Sequence, residues 1–251
     1  MNAILIKSRY KVTQVLFADA GAGYAALLAV DIESRDKSEY LINVYEGALG
    51  RRYAGIYERL QHCPEYIGAF LSDGALVAVF TYKRAQDIDD VFYKGAAAEW
   101  KTRIHYAQLL FHLALSVSDF PPEISCAAFL SRNLKILRND MKLAVNFMVS
   151  PIADANGREI IYMLSDNILK VLPRRFYMLS DELEFIKTLE SGAFTSVAAL
   201  YSAWQDVMAR ITAEYERVYK MNAVHRALYF LAARLRRSSK KKRKRARDRT
   251  G

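Results

Sequence analysis

At Tyr82 the spacing of the apolar residues changes, and that change confines the chain to a mixed architecture. Before it lie β-prone runs: Arg9 to Leu16, Tyr24 to Ile32, Tyr40 to Tyr45, Tyr66 to Leu71 and Ala75 to Tyr82. They are separated by Asp19-Ala20-Gly21-Ala22-Gly23, by the polar stretch Glu33 to Ser38, and by Ser72-Asp73-Gly74. An Asp-Gly pair between apolar runs is a strong hairpin signal. One helix interrupts the strands, Arg51 to Gln61, with Tyr53, Ile56, Tyr57 and Leu60 on one face. After Tyr82 the period is helical: a short helix over Gln86 to Tyr93, then a long one over Trp100 to Val117 that stops at Asp119-Phe120-Pro121-Pro122. Two helices follow in Ser180 to Arg217, split near Ser191-Gly192, and a last one runs from Tyr215 to Leu235. Short strand-like runs recur at Leu134 to Leu137 and Met141 to Val149. The expectation is an α+β chain without internal repeats: a β-rich part over 1–82, a mostly helical part over 83–214, an amphipathic helix over 215–235 and a disordered polybasic tail over 236–251.

Composition supports a buried core, because 52% of the residues are hydrophobic and 16 are Tyr and 12 Phe. Cys63 and Cys126 match no metal or redox spacing and read as small buried apolar groups in a reducing compartment. The apolar stretch in Met1 to Val12 is too short for a secretion signal, and no uncharged run approaches the roughly 18 residues that span a bilayer. The reading is a cytoplasmic protein, at most attached to a membrane surface.

The formal net charge is +10. Eleven Lys or Arg and one acid, Asp248, fall between Arg234 and Gly251 and account for all of it. Residues 1–233 hold 26 basic and 26 acidic side chains, so the body is neutral. Whatever partner the charge implies therefore belongs to the tail.

The order strand, Gly turn, strand, strand, helix, strand, Asp-Gly hairpin, strand, then helices resembles the protein-kinase fold. Its closest local likeness is His62 to Tyr82, which looks like the fourth and fifth strands of the small lobe running into the hinge. The resemblance covers about residues 9–150 and implies a two-lobed domain: an antiparallel β small lobe and a helical large lobe. This reading leaves a truncated large lobe open, since nothing past Val149 aligns. Phosphoryl transfer by that family needs a Gly-rich loop, a third-strand lysine and two metal-holding side chains.

Carried over residue by residue, the resemblance implies that this chemistry is missing. Gly21 and Gly23 remain in the turn, but Ala26 stands where a third glycine would fall, and a tight hairpin alone explains the glycines. Tyr40-Leu41-Ile42-Asn43-Val44 looks like the family's Val-Ala-Ile-Lys run, which puts Asn43 at the lysine position. The lysine's acidic partner falls near Tyr53. The catalytic loop becomes Cys126 to Asn133, with Ala128 at the base position, where it can accept no proton. Asn133 matches the metal-binding asparagine in place and also reads as an ordinary turn residue. Asn146-Phe147-Met148 takes the place of Asp-Phe-Gly, and a neutral amide is a poor Mg²⁺ ligand. The resemblance thus implies a pseudokinase that uses no cofactor.

Other chemistry finds no footing in the sequence. His105 and His112 share a helix face without a further ligand at suitable spacing, and Asp87, Asp89 and Asp90 suit the first turn of a helix. The last helix spaces Val218, Met221, Val224, Leu228, Leu231 and Leu235 by 3, 3, 4, 3 and 4. That stripe either packs on the large lobe or lays its distal half on an anionic leaflet. The tail would contribute through Arg234, Arg236, Arg237, Lys240, Lys241, Lys242, Arg243, Lys244, Arg245 and Arg247, each worth about 1 kcal/mol near such a surface. Nucleic acid ranks lower as a partner, because the neutral body offers no basic stripe. The layout of a degenerate kinase-like domain ahead of a basic segment is similar to that of the pseudokinase subunits of type VII secretion systems. The functional expectation is a catalytically inactive binding or scaffolding protein with protein partners, recruited to a membrane surface or an assembly. The alternatives are a divergent nucleotide-binding phosphotransferase and a nucleic-acid binder acting through the tail.

Overall fold

The computed structural model describes residues 4–235, apart from 36, 61, 94, 95, 97, 154, 176, 177 and 234. Strands β1 (Leu5–Ile6), β2 (Tyr10–Asp19), β3 (Tyr24–Asp31), β4 (Glu39–Tyr45), β5 (Tyr66–Ser72) and β6 (Ala75–Thr81) form one antiparallel sheet. Their order in space is β1-β2-β3-β4-β6-β5. The β5–β6 hairpin turns on Asp73 and Gly74, at φ +50° and +78°. Two positive φ angles make the turn whose twist matches that of the strands, and Asp-Gly tolerates it best. In the β2–β3 turn only Gly23 needs this freedom, at φ +65°. Gly21 does not, because the turn is held instead by the Asp19 carboxylate accepting from the Ala22 N–H at 3.0 Å.

Period-2 alternation gives the sheet two apolar faces. On one, Tyr24, Ala26, Leu41, Tyr45, Leu76, Ala78 and Phe80 join the main core under helix α1 (Gly47–Glu58). On the other, Tyr10, Ala29, Ile42, Val77 and Val79 make a smaller cluster. The sheet curls enough for Tyr10 of β2 to stack on Phe70 of β5 at 6.3 Å. Arg9 closes that face by donating to buried Asp31 from two nitrogens, at 2.9 and 2.7 Å.

The second lobe contains α2 (Ile88–Val91), α3 (Trp100–Ser116), α4 (Pro122–Ala128), α5 (Gly157–Val171), α6 (Ser180–Glu190) and α7 (Val197–Tyr219). A small sheet of β7 (Gln86–Asp87), β8 (Leu134–Leu137) and β9 (Lys142–Val145) completes it. Helix α3 is central: Trp100, Arg103, Tyr106, Ala107, Leu110, Phe111 and Ala114 are buried along one side. The buried Arg103 guanidinium donates to the carbonyls of Ala96, Ala98 and Val171. Val171 ends α5, where the helix dipole favours a cation.

Besides the unexpected short strand β1 and a start of α1 at Gly47 rather than Arg51, the structure differs from the sequence reading at five places. Gln86 and Asp87 pair with Ile136 and Lys135, so the expected helix there shrinks to α2. Helix α4 occupies residues read as a loop, with Pro122 in its first turn. Helix α5 fills a stretch to which the sequence reading assigned nothing, and the Asn156 side chain starts it by accepting from the Arg158 and Glu159 N–H groups. The strand expected over Met141 to Val149 stops at Val145, and beyond it Phe147 and Val149 bond to the side chains of Asn43 and Tyr45 rather than to a strand. Lastly, no new helix begins at Tyr215. That residue lies inside α7, stacked on Trp100 at 4.9 Å. The chain breaks at 220–222 and residues 223–233 are helical again, started by the Asn222 side chain accepting from the His225 N–H at 2.9 Å.

No helix among the described residues is long and apolar enough to cross a membrane. The basic positions from Arg234 onward, including Arg236, Arg237, Lys240, Lys241, Lys242, Arg243, Lys244, Arg245 and Arg247, lie outside the described residues.

Candidate functional site

Between the lobes runs the short segment Asn146–Val149, and three asparagine side chains hold it from three sides. Asn43, fixed in the middle of β4 opposite Ala26, has no exposed surface. Its amide donates to the Phe147 carbonyl at 2.9 Å, and its carbonyl oxygen accepts from the Val149 N–H at 2.9 Å and from the Tyr24 hydroxyl at 2.8 Å. Asn133, in the turn between α4 and β8, donates to the carbonyls of Ala127 at 2.7 Å and Met148 at 3.0 Å. The backbone carbonyl of Asn133 accepts from the Asn146 N–H at 2.9 Å. Asn146 itself turns to the connection between the lobes: its side-chain oxygen accepts from the Lys83 N–H at 2.9 Å, and its amide donates to the Lys83 carbonyl at 3.0 Å.

Tyrosines finish the network from the side of the sheet and of α1. The Tyr45 hydroxyl donates to the Val149 carbonyl at 2.7 Å and lies 2.6 Å from the Tyr57 hydroxyl. Tyr45 and Tyr53 stack at 4.3 Å, nearly parallel. Burial raises the hydroxyl pKa values of Tyr45 and Tyr57 well above the ordinary 10.0. It also raises that of Tyr24, against a smaller opposing pull from Arg132. These groups are therefore neutral at physiological pH. Phe147 packs on Phe80 at 5.4 Å, so the apolar part of the segment is buried as well.

Every side chain of this network is neutral, and each amide of Asn43 and Asn146 already has both its ends bonded to protein. A metal–nucleotide pair needs anionic oxygens for the cation and a fixed cation for the phosphates. Asn43, Ala128 and Asn146 offer neither, and Ala128 is a fully buried methyl at the end of α4. One feature leans the other way: the Asn133 side-chain oxygen is buried and accepts no hydrogen bond among the described residues. One amide oxygen is a single weak ligand, so the site does not fit Mg²⁺ with a nucleotide. Among the described residues there is likewise no group of three His, Cys, Asp or Glu arranged to hold a metal. Both thiols are buried, and burial pushes Cys63 up to about 12 and Cys126 up to about 11. They are poor nucleophiles there.

Asn43, Asn133 and Asn146, chosen from sequence, thus meet around one segment, while Ala128 ends α4 in the core. Sequence reasoning missed Tyr24, Tyr45, Tyr57 and the Lys83 backbone. The tyrosines left a faint signal: Tyr53 and Tyr57 lie four apart on the face of α1 that meets β4. The Lys83 contact left none, since it is made by backbone.

No protein-family model and no curated protein sequence matches the chain. Solved structures do. A pseudokinase solved in its apo form superposes with a TM-score of 0.52 at 10% identity, over 79% of this chain and 92% of that one. The kinase domain of Mycobacterium tuberculosis PknI superposes with a TM-score of 0.53 at 13% identity, over 81% of this chain and 98% of that one. A doubly substituted form of the same domain gives 0.54 at 14%, over 83% and 98%. These likenesses establish the fold: this is a two-lobed, protein-kinase-like α+β chain.

Proposed function

We propose that this chain is a pseudokinase-like binding module whose own amides take the place of nucleotide chemistry. The observation that carries the reading is the Asn146 side chain, bonded to both the N–H and the carbonyl of Lys83. Adjacent backbone donor and acceptor groups at the end of a strand suit a planar ring edge with the complementary pair, as adenine has. A carboxamide presents the same pair, and here it is covalently part of the protein. Asn43 supports the reading, because it spends its hydrogen bonds anchoring Asn146–Val149 rather than offering a charge to phosphate. With the cleft filled and neutral, the lobes become a rigid body that presents surfaces. The role is scaffolding, with protein partners, and recruitment to a membrane surface or an assembly through the basic segment that starts at Arg234.

The test is a thermal melt with ATP, with and without Mg²⁺, run beside an assay of ATP turnover. The module reading predicts no shift and no turnover. A ligand at a hundred times its Kd stabilises by about 2.7 kcal/mol, a readily seen shift. A Mg²⁺-dependent stabilisation with turnover would favour the divergent phosphotransferase instead.

A further inference from the structure

Residues 223–233 form a helix with two apolar sides, and the protein uses one. The inner side carries Tyr229 and Phe230. Phe230 is buried, while the Tyr229 hydroxyl donates to the Glu214 carboxylate and its ring lies under Arg217. Arg226 lies over Tyr219 at 4.8 Å on the same side. At about 100° per residue, the positions 224, 228, 231 and 235 stand about 180° from that docked side. They are Val224, Leu228, Leu231 and Leu235, exposed at 68, 56, 47 and 62%. The single stripe expected from sequence is therefore split: Val218 is buried within α7, and the stripe from Val224 onward faces out. Four large aliphatic groups in line on one face of a helix form a patch of the kind that marks an interaction site.

We infer that this outer face is a docking surface for anionic lipid, with the helix lying in the plane of the bilayer surface. The occupant is argued from charge. The stripe leads directly into a segment with eleven Lys or Arg and one acid, whereas the body is neutral. An aliphatic face beside a dense cationic run matches a surface that is apolar within and anionic at its headgroups. An acidic protein groove would match the tail's charge, and the vesicle experiment below separates it from lipid. The inference rests on the reading of the chain as a recruited binding module and names the surface that recruits it.

The experiment is co-sedimentation of the full chain with vesicles of phosphatidylglycerol and phosphatidylcholine, against phosphatidylcholine alone. Three variants are compared with the parent: Leu228→Glu with Leu231→Glu, glutamine at each Lys and Arg from Lys240 to Arg245, and Leu231→Trp. The expected result is binding to the anionic vesicles only, lowered about tenfold or more by either of the first two variants. The tryptophan variant should show a blue-shifted emission on adding anionic vesicles, which adsorption through the tail alone would not produce. Because the leucines are exposed, the glutamate variant should keep its melting midpoint within about 2 °C of the parent. Unchanged binding by the glutamate variant, or no binding by the parent, overturns the inference. So does a fall in molar mass caused by that variant without any effect on vesicle binding, which would show that a second copy covers the stripe. The ATP melt reports on the cleft separately, so either reading can fail while the other stands.

Discussion

The interlobe cleft and the last helix handle their chemistry in opposite ways. In the cleft, polar groups that water would welcome are buried, and Asn43 and Asn146 have every end of their amides matched to a protein partner. On the last helix, apolar groups that water rejects are left exposed in a row. A buried polar group costs about 1–3 kcal/mol when it loses its partner, so a satisfied network holds itself shut. An exposed aliphatic row costs little until something covers it, so it stays available. Under the proposed reading, the cleft is the surface closed to ligands and the outer face of the last helix is the open one.

The contrast can be broken hardest at Asn43. Asn43→Leu removes three hydrogen bonds and strands the Tyr24 hydroxyl, the Phe147 carbonyl and the Val149 N–H inside the core. Denaturant unfolding should show a loss of about 3–5 kcal/mol. Asn146→Asp restores the carboxylate that the kinase pattern calls for, but here it sets a negative charge against the Lys83 carbonyl. The expected loss is about 1–3 kcal/mol, with no gain of ATP affinity, as a paired melt with and without ATP would report.

The alkaline limb sharpens the comparison next. Below the ordinary tyrosine value of 10.0, the Tyr45 and Tyr57 hydroxyls are protonated in both the folded and the unfolded chain, and their contribution is intact. Above it the unfolded chain releases its protons while the buried hydroxyls hold theirs. Stability should then fall by up to about 1.4 kcal/mol per pH unit for each tyrosine. Tyr45→Phe should flatten that slope. The helix gives the smallest effect: Leu228→Glu should change stability by no more than about 0.5 kcal/mol, although the same charge placed at Phe230 would unfold the docked side.

Much of the sheet was legible from sequence because its signals are local. Alternation, the Asp73-Gly74 turn and the helical face of Tyr53 and Tyr57 each involve neighbours in sequence, and the structure realises all three. The candidate positions Asn43, Ala128, Asn133 and Asn146 were reachable only through resemblance, since no local pattern relates residues 43 and 149. The hydrogen bonds that the asparagines make were not legible. The bonds from Asn43 to Phe147 and Val149 span more than a hundred residues, and the Asn146 contact uses backbone groups that every residue carries. Helix α5 was missed although Ile160, Ile161, Leu164, Ile168 and Val171 repeat at helical spacing, because the kinase resemblance gave out just before it. The outer stripe was seen but read as one face, because sequence spacing does not say where a helix breaks. Asn222 does that locally.

The most direct test of the filled cleft is hydrogen exchange at the Lys83 amide, with and without saturating ATP and Mg²⁺. The Asn146 bond predicts exchange slowed by about two orders of magnitude or more relative to an unfolded chain, unaltered by nucleotide and lost in Asn146→Ala. A Lys83 amide that exchanges freely in the parent, or becomes protected only when ATP is added, would contradict the account.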